Sequence, residues 1–320
     1  MTDTDIAKES VFDAEDTRQF LIGFKSIPER LDKALARLMP EHSRTRIQGW
    51  IEDGHVSVND KEAQVRQMLL PGDRVVVRVQ PSAESTAFLP EDIPLTVIAE
   101  SNDWIVIDKP AGLVTHPGAG NWSGTLLNGL LHRYPELASV ARAGIVHRLD
   151  KDTSGLLVVA RNETAQTHLV RQLQAHTVLR EYLALVHGHP SGNGRVDTSI
   201  GRDPRVPIRR TSQNPVAPKA AVTHYNVLRH GMLPESRRVS EIVCRLETGR
   251  THQIRVHMSS LGHPLLGDTL YGGEQLPQAS RQMLHARRLS FQDPGSNEIV
   301  TFESQLANDI QALCQEIEWS

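Results

Sequence analysis

Residues 147–155, "HRLDKDTSG", place Arg148, Asp150, Lys151 and Asp152 between the apolar runs "AGIV" and "LLVVA", where burial alone calls for no charge. "REY" at 180–182 adds a phenol, and "TGRTHQIRVHM" at 248–258 adds fixed cations on another element. A carboxylate in a desolvated pocket can serve as a nucleophile or a general base. Desolvation raises its pKa, and a nearby cation opposes that rise and keeps it ionised.

Other chemistries fit the stretch poorly. As a calcium loop, Asp150, Asp152, Ser154 and Gly155 take the first, third, fifth and sixth places, but the twelfth, where a bidentate Glu must close the coordination, is Arg161. An aspartic protease needs two Asp-Thr-Gly turns; here Ser154 separates "DT" from the Gly, and no second copy exists. There is no G-x-S-x-G elbow, and "GAGNWSG" lacks the Lys-Ser/Thr of a phosphate loop. Among 15 histidines, His252 and His257 lie five apart, off the spacing that aligns two metal ligands on one helical face. Two cysteines, Cys244 and Cys314, give neither a disulfide framework nor a Cys-based zinc site, so no metal is expected. Spacing leaves two readings open: a charged structural turn, or a lone catalytic carboxylate.

The elements that must position these groups divide into two parts. In "ERLDKALARLM", Leu31, Ala34, Leu35 and Leu38 form one apolar helical face. "SRTRIQGWIEDG" predicts a second helix with Ser43 as N-cap, Ile47, Trp50 and Ile51 buried, and Arg44 and Arg46 toward solvent. "HVSVNDKEAQ" and "LLPGDRVVVRV" read as short strands with turns. Residues 25–80 therefore form a small α/β module, and the Pro- and Ser-rich 81–91 a linker. Residues 1–24 carry six acids against two bases and no sustained periodicity, which predicts a disordered acidic tail. From 92 to 320 the pattern is strand-dense with helices interspersed irregularly, an α+β domain with a mainly antiparallel mixed sheet. There "THQIRVHMSSLG" predicts a helix capped by Thr251, with Ile254, Met258 and Leu261 buried and Arg255 at the border of that face.

Composition sets bounds. The net charge of −3 on 320 residues argues weakly against a polyanion partner, but the acidic tail accounts for it, so any such site must be a local patch. The segment 192–219 holds six bases against two acids, with Gly and Pro throughout, and reads as a protruding hairpin whose Arg209 and Arg210 grip a nucleic-acid backbone. No run approaches the ~18 apolar residues of a membrane span. The acidic N-terminus is unlike a signal peptide, so a cytoplasmic protein is expected.

"DKPAGLVTHPGAGN", "GIVHRLDKDTSGLLVVARN", "REYLALVHG" and "LETGRTHQIRVHMSSLGHPLLGDTLYG" resemble the RluA-type family of pseudouridine synthases, over about residues 92–292. The module ahead of them is similar to an S-four-like RNA-binding module, in which arginines at the positions of Arg44 and Arg46 contact RNA phosphates. "RAGIVHRLDKDTSG" and "HPLLGDTLYGG" are most similar to the D-type branch, which implies the helix 69 stem-loop of 23S ribosomal RNA as the target. The resemblance implies that Asp150 is the catalytic carboxylate, that Arg255 pairs with it, that Tyr182 packs against the base and is implicated in proton removal, and that Arg148 helps open the target nucleotide's place in the stem.

Such a reaction breaks the bond from the sugar to ring nitrogen 1, turns the uracil, and rejoins it through carbon 5. Nothing is oxidised or added, so no cofactor is expected, and the partner is ribosomal RNA, met by a monomer. Whether Asp150 attacks the anomeric carbon or removes the neighbouring sugar proton stays open. So do two alternatives: a non-catalytic RNA-binding assembly factor, and a C-type or tRNA-directed enzyme.

Overall fold

The apolar spacing at 31, 34, 35 and 38 forms helix α1, Leu31–Leu38, with Leu31, Ala34 and Leu35 buried. The computed structural model describes residues 10–12, 17–80, 87–118 and 120–320, and the chain divides into two compact units, 1–85 and 86–320. In the first, α1 packs on helix α2, Arg44–Glu52, whose N-cap Ser43 accepts from the Arg46 amide. Ile47, Trp50 and Ile51 enter one core with Val75 and Val77 of the strand Arg74–Arg78.

The chain orders earlier than expected. Within the expected tail 1–24, Thr17–Leu21 is a strand antiparallel to Arg74–Arg78, because Phe20 and Ile22 supply apolar side chains to this core. Residues 1–9 and 13–16 of that tail, and 81–86 of the expected linker 81–91, lie outside the described residues. Ala87 is buried, and the Asn128 amide donates to the Ala87 and Leu89 carbonyls at 3.2 and 2.8 Å.

Arg44 and Arg46 do not simply face solvent. Arg44 donates to the fully buried Asp32 at 2.8 and 3.0 Å, joined there by Arg30 and Gln48. Arg46 lies 5.2 Å over the Trp50 ring and donates to the Gln80 carbonyl at 3.0 Å. Burial alone would raise the Asp32 pKa, but hydrogen bonds from Gln48, Arg44 and Arg30 outweigh it and hold the carboxyl at about 2, down from 3.8. A depressed folded pKa gives stability that is complete above the unfolded value and is lost as pH falls through the folded one. Asp32→Asn is therefore expected to destabilise the full chain's first unfolding step by ~1–2 kcal/mol at pH 7, since the arginines are half in solvent. In urea melts the deficit should shrink toward pH 2, and a pH-independent deficit would contradict this account.

The second unit is built on a large sheet. Its strands run in the order Gly194–Asp197, Val222–Leu233, Arg237–Leu246, Leu179–His187, Leu284–Gln292, Ser154–Ala160, Trp104–Lys109 and Thr96–Glu100, with Ile299–Glu303 added on Leu284–Gln292 and Glu318–Trp319 on Val222–Leu233. The pairing of Ser154–Ala160 with Leu284–Gln292 is parallel and the other pairings among these strands are antiparallel. The architecture is thus α+β with a mainly antiparallel mixed sheet. Ser154–Ala160 is buried throughout and apolar from residue 155 on because both its faces are covered. Leu157 and Val159 meet helix α3, Leu126–Arg133, while Leu156, Val158 and Ala160 meet helix α4, Glu163–Gln174. Helix α5, Gln253–Ser260, adds Ile254 and Met258 to the α3 side, and helix α6, Asn308–Glu316, packs Ile310 and Leu313 near Leu183 and Leu185.

The segment 192–219 is not a single hairpin. After Gly194–Asp197 joins the large sheet, Ile200–Arg202, Arg210–Thr211 and Val216–Lys219 form their own three-stranded sheet. No helix among the described residues is long and apolar enough to cross a membrane.

Candidate active site

The turn at 147–153 is held through its backbone carbonyls rather than through its own charged side chains. The Leu149 carbonyl accepts from Thr115 Oγ1 at 2.8 Å, the Lys151 carbonyl from Gly112 N at 2.9 Å, and the Asp152 carbonyl from Arg281 Nη1 at 2.8 Å. Lys109 is fully buried, which draws its pKa down to about 7, yet its Nζ meets the carbonyls of Pro110, Leu113 and Lys151 at 2.8, 2.9 and 3.0 Å. Three acceptors need three donors, so the group is an ammonium that ties two loops together. Gly155 closes the turn at φ +109°, where a Cβ would lie 2.3 Å from the Ala286 carbonyl oxygen; a side chain would push the turn off the sheet.

With the backbone carrying the turn, the Asp150 carboxylate faces open space. Its Oδ2 lies 3.4 Å from Arg255 Nη1 and its Oδ1 4.0 Å from His252 Nε2. Arg255 sits in the first turn of α5, and its Nε and Nη2 donate to both oxygens of the buried Asp268 at 2.6 and 2.8 Å. Burial works against the Arg255 charge, but the Asp268 carboxylate overcomes it and, with Asp150, raises the pKa above the ordinary value. One guanidinium is thereby shared: two donors are fixed on Asp268, and the third is turned to Asp150.

Tyr271 completes the surround. The Arg255 guanidinium lies 4.9 Å from its ring centre, and the phenol oxygen accepts from Arg210 N at 2.9 Å and meets His252 Nδ1 at 2.7 Å. Burial lifts the Tyr271 pKa to about 12 and lowers that of His252, so both are neutral near pH 7. The phenol O–H then donates to Nδ1, which places the imidazole hydrogen on Nε2, toward Asp150.

Asp150, His252 and Arg255 border a cavity of about 770 Å³, within the ~300–1,000 Å³ usual for ligand sites. Its wall carries Arg142, Arg148, Arg180, Arg250 and Arg255, with Asp150 the single carboxylate among the described residues. Tyr182 lines it where the register of Leu179–His187 against Leu284–Gln292 shifts between Glu181 and Tyr182, a bulge of the kind that re-aims a side chain. Burial, opposed by Arg180 and reinforced by Asp150, pushes the Tyr182 phenol up to about 12.

The family model described as RNA pseudouridylate synthase matches residues 103–260, and that of the S4 domain matches residues 29–75. The ribosomal large subunit pseudouridine synthase D of Neisseria meningitidis serogroup B (strain ATCC BAA-335 / MC58) is 49% identical over 295 residues, which cover 89% of this chain and 77% of that protein. The chain belongs to the RNA pseudouridylate synthase family. Its counterpart of the same description in Escherichia coli (strain K12) is 44% identical over 303 residues, 90% of each chain. Among solved structures, human RNA pseudouridylate synthase domain containing 1 matches at a TM-score of 0.56 and 30% identity, covering 76% of this chain and 91% of that one.

In this synthase, Asp150, Arg148, Tyr182 and Arg255 line one cavity. Arg148 is exposed there and makes no ion pair among the described residues. Arg209 and Arg210 are not at a hairpin tip: the Arg209 guanidinium lies 5.5 Å from the Tyr271 ring centre, and Arg210 donates to its hydroxyl, because the small sheet folds back on this residue. Thr251 does not cap α5. His252 stands at the N-cap with φ 59°, and the Gln253 side-chain Oε1 accepts from Arg250 N at 3.0 Å and Thr248 Oγ1 at 2.8 Å. Leu261 is 41% exposed while Arg255 is 7% exposed, because Arg255 finds a buried carboxylate and Leu261 lies past the helix end. Asp268, His252, Tyr271 and Lys109 were missed as site residues, although Asp268 and Tyr271 stand in "GDTLYG" and Lys109 in "DKPAG".

Proposed function

We propose that this protein isomerises uridines of 23S ribosomal RNA to pseudouridine, with the helix 69 stem-loop as target and Asp150 as the reacting carboxylate. The observation that carries this reading is Asp150, 3.4 Å from Arg255, as the lone carboxylate among the described residues of a cavity whose wall is otherwise rich in arginine. Such a cavity attracts a polyanion, and one group in it is suited to act at the sugar. The similarity to large-subunit pseudouridine synthases D over about nine-tenths of the chain supports the RNA target, as does the match to an S4 domain.

The uridine must leave its stack to reach Asp150, at a cost of a few kcal/mol. Asp150 then attacks the anomeric carbon or takes the neighbouring sugar proton. On either route the uracil departs with the electron pair of its nitrogen bond, turns, and bonds through carbon 5 to the anomeric carbon, which expels the Asp150 carboxylate or takes back the sugar proton from it; the carbon 5 proton is lost last, to the freed carboxylate or to water, while nitrogen 1 gains one. Tyr182, protonated near pH 7, packs against the base and offers an O–H to the uracil anion. Arg148 supports the neighbours of the displaced nucleotide. Arg209, Arg210, Arg46 and Arg44, the last 48% exposed although anchored on Asp32, contact phosphates.

Pseudouridine mapping of 23S ribosomal RNA from a strain lacking the gene tests the target. Loss of pseudouridine within helix 69, restored by a wild-type copy, is the expected result. A map unchanged by the deletion sinks the assignment, and a restored growth rate without restored pseudouridine would favour the assembly-factor alternative.

A further inference from the structure

We propose that Arg180, with Arg250 beside it, forms a phosphate subsite in the cavity wall that holds an RNA phosphodiester next to the reacting uridine. The inference rests on the reading of the substrate as RNA and adds which cation meets its backbone beside the reaction centre. Arg180 stands two residues before Tyr182 on the same strand, lines the same cavity, and is 7% exposed.

A buried guanidinium needs an anion or a full set of acceptors. The other buried cations of this unit have them: Arg255 has Asp268, Arg281 has Asp309, and Lys109 has three carbonyls. Arg180 has a single acceptor, the Glu247 carbonyl, which takes Nη2 at 3.0 Å. Its Nε is buried without an acceptor, and no carboxylate among the described residues pairs with it. Burial lowers its pKa, the Tyr182 phenol opposes that, and the other nearby charge, Arg250, is of like sign. Protein groups therefore leave an anion's place open in front of two arginines.

The loop opposite is shaped to the guanidinium. A Cβ on Gly249 would lie 2.6 Å from Arg180 Nη1, so glycine at this position is what lets the side chain keep its seat against the wall. Arg250 follows directly, its Nε on the Ala220 carbonyl at 3.0 Å, its side chain otherwise exposed. A phosphodiester is the anion that an RNA substrate brings to this depth, and its paired oxygens match the guanidinium fork.

The test uses the full chain and a set of target stem-loop RNAs, each with one phosphate beside the reacting uridine replaced by an uncharged methylphosphonate. Arg180→Met is expected to lower kcat/KM on the unmodified RNA by ~30–100-fold, the effect of one lost charge-assisted contact. One methylphosphonate should lower wild-type kcat/KM by a similar factor yet affect Arg180→Met less than about twofold, because the partner is already gone. Penalties that multiply at every phosphate would overturn the subsite. Should Arg180→Met fail to fold, Gly249→Ala displaces only the guanidinium tip and must single out the same phosphate. Kd values for the same RNAs read the contact without turnover. A wild type that binds with this phosphate dependence but forms no pseudouridine therefore upholds the subsite while refuting the isomerase reading.

Discussion

Asp150→Asn is expected to reduce tritium release from RNA labelled at uridine carbon 5 by ~10³-fold or more, while leaving fold and RNA affinity close to wild type. The size follows from the change in chemistry. An amide neither attacks an anomeric carbon nor accepts a sugar proton, and no second carboxylate among the described residues lines the cavity to substitute for it. Preservation of the fold follows from how the turn is built. Its carbonyls are held by Thr115, Gly112, Lys109 and Arg281, whereas the Asp150 side chain contributes one long contact, 3.4 Å, to an arginine already fixed on Asp268. A circular-dichroism melt and an RNA Kd accompany the assay. Release within a few-fold of wild type would remove Asp150 from the chemistry, and lost affinity would instead make it a binding residue.

The parts of this architecture that were legible in the sequence are those decided locally. The face of α1 follows from apolar spacing, and Ser43 and Ile47 mark the start of α2 by side-chain chemistry alone. The two-sided burial of Ser154–Ala160 is written in its unbroken apolar run. What was misjudged depends on partners distant in the chain. Arg44 looked like a solvated helix charge because nothing local shows that Asp32, one helix earlier, is fully buried and needs three donors. The start of α5 escaped a capping rule because His252 adopts a left-handed conformation and the Gln253 side chain supplies the acceptor in its place. Arg255 looked peripheral on its helix, and its burial becomes intelligible with Asp268, which arrives from a different loop. The acidic composition of residues 1–24 hid a strand, since one short alternation around Phe20 suffices once Arg74–Arg78 offers an edge.

That Asp268–Arg255 pair yields the second large expectation. Asp268→Asn removes the charge that compensates a buried guanidinium, and breaking such a pair from one side costs ~3–5 kcal/mol, or roughly 6–15 °C in Tm for a unit of this size. Activity should fall by another mechanism. Released from Asp268, Arg255 is free to turn its fork onto Asp150, engage both of its oxygens, and make it a poorer nucleophile and base, with kcat reduced ~10²-fold. A double variant separates the two effects. Removing both charges, as Arg255→Met with Asp268→Val, puts apolar atoms in nearly the same volume and should recover most of the lost stability. Activity should stay low, because Asp150 then lacks the guanidinium that lies 3.4 Å from its Oδ2 and orients it. If the double variant regained wild-type kcat along with its Tm, Asp268 and Arg255 would be a structural pair only, and the positive charge facing Asp150 would have to come from the other arginines lining the cavity.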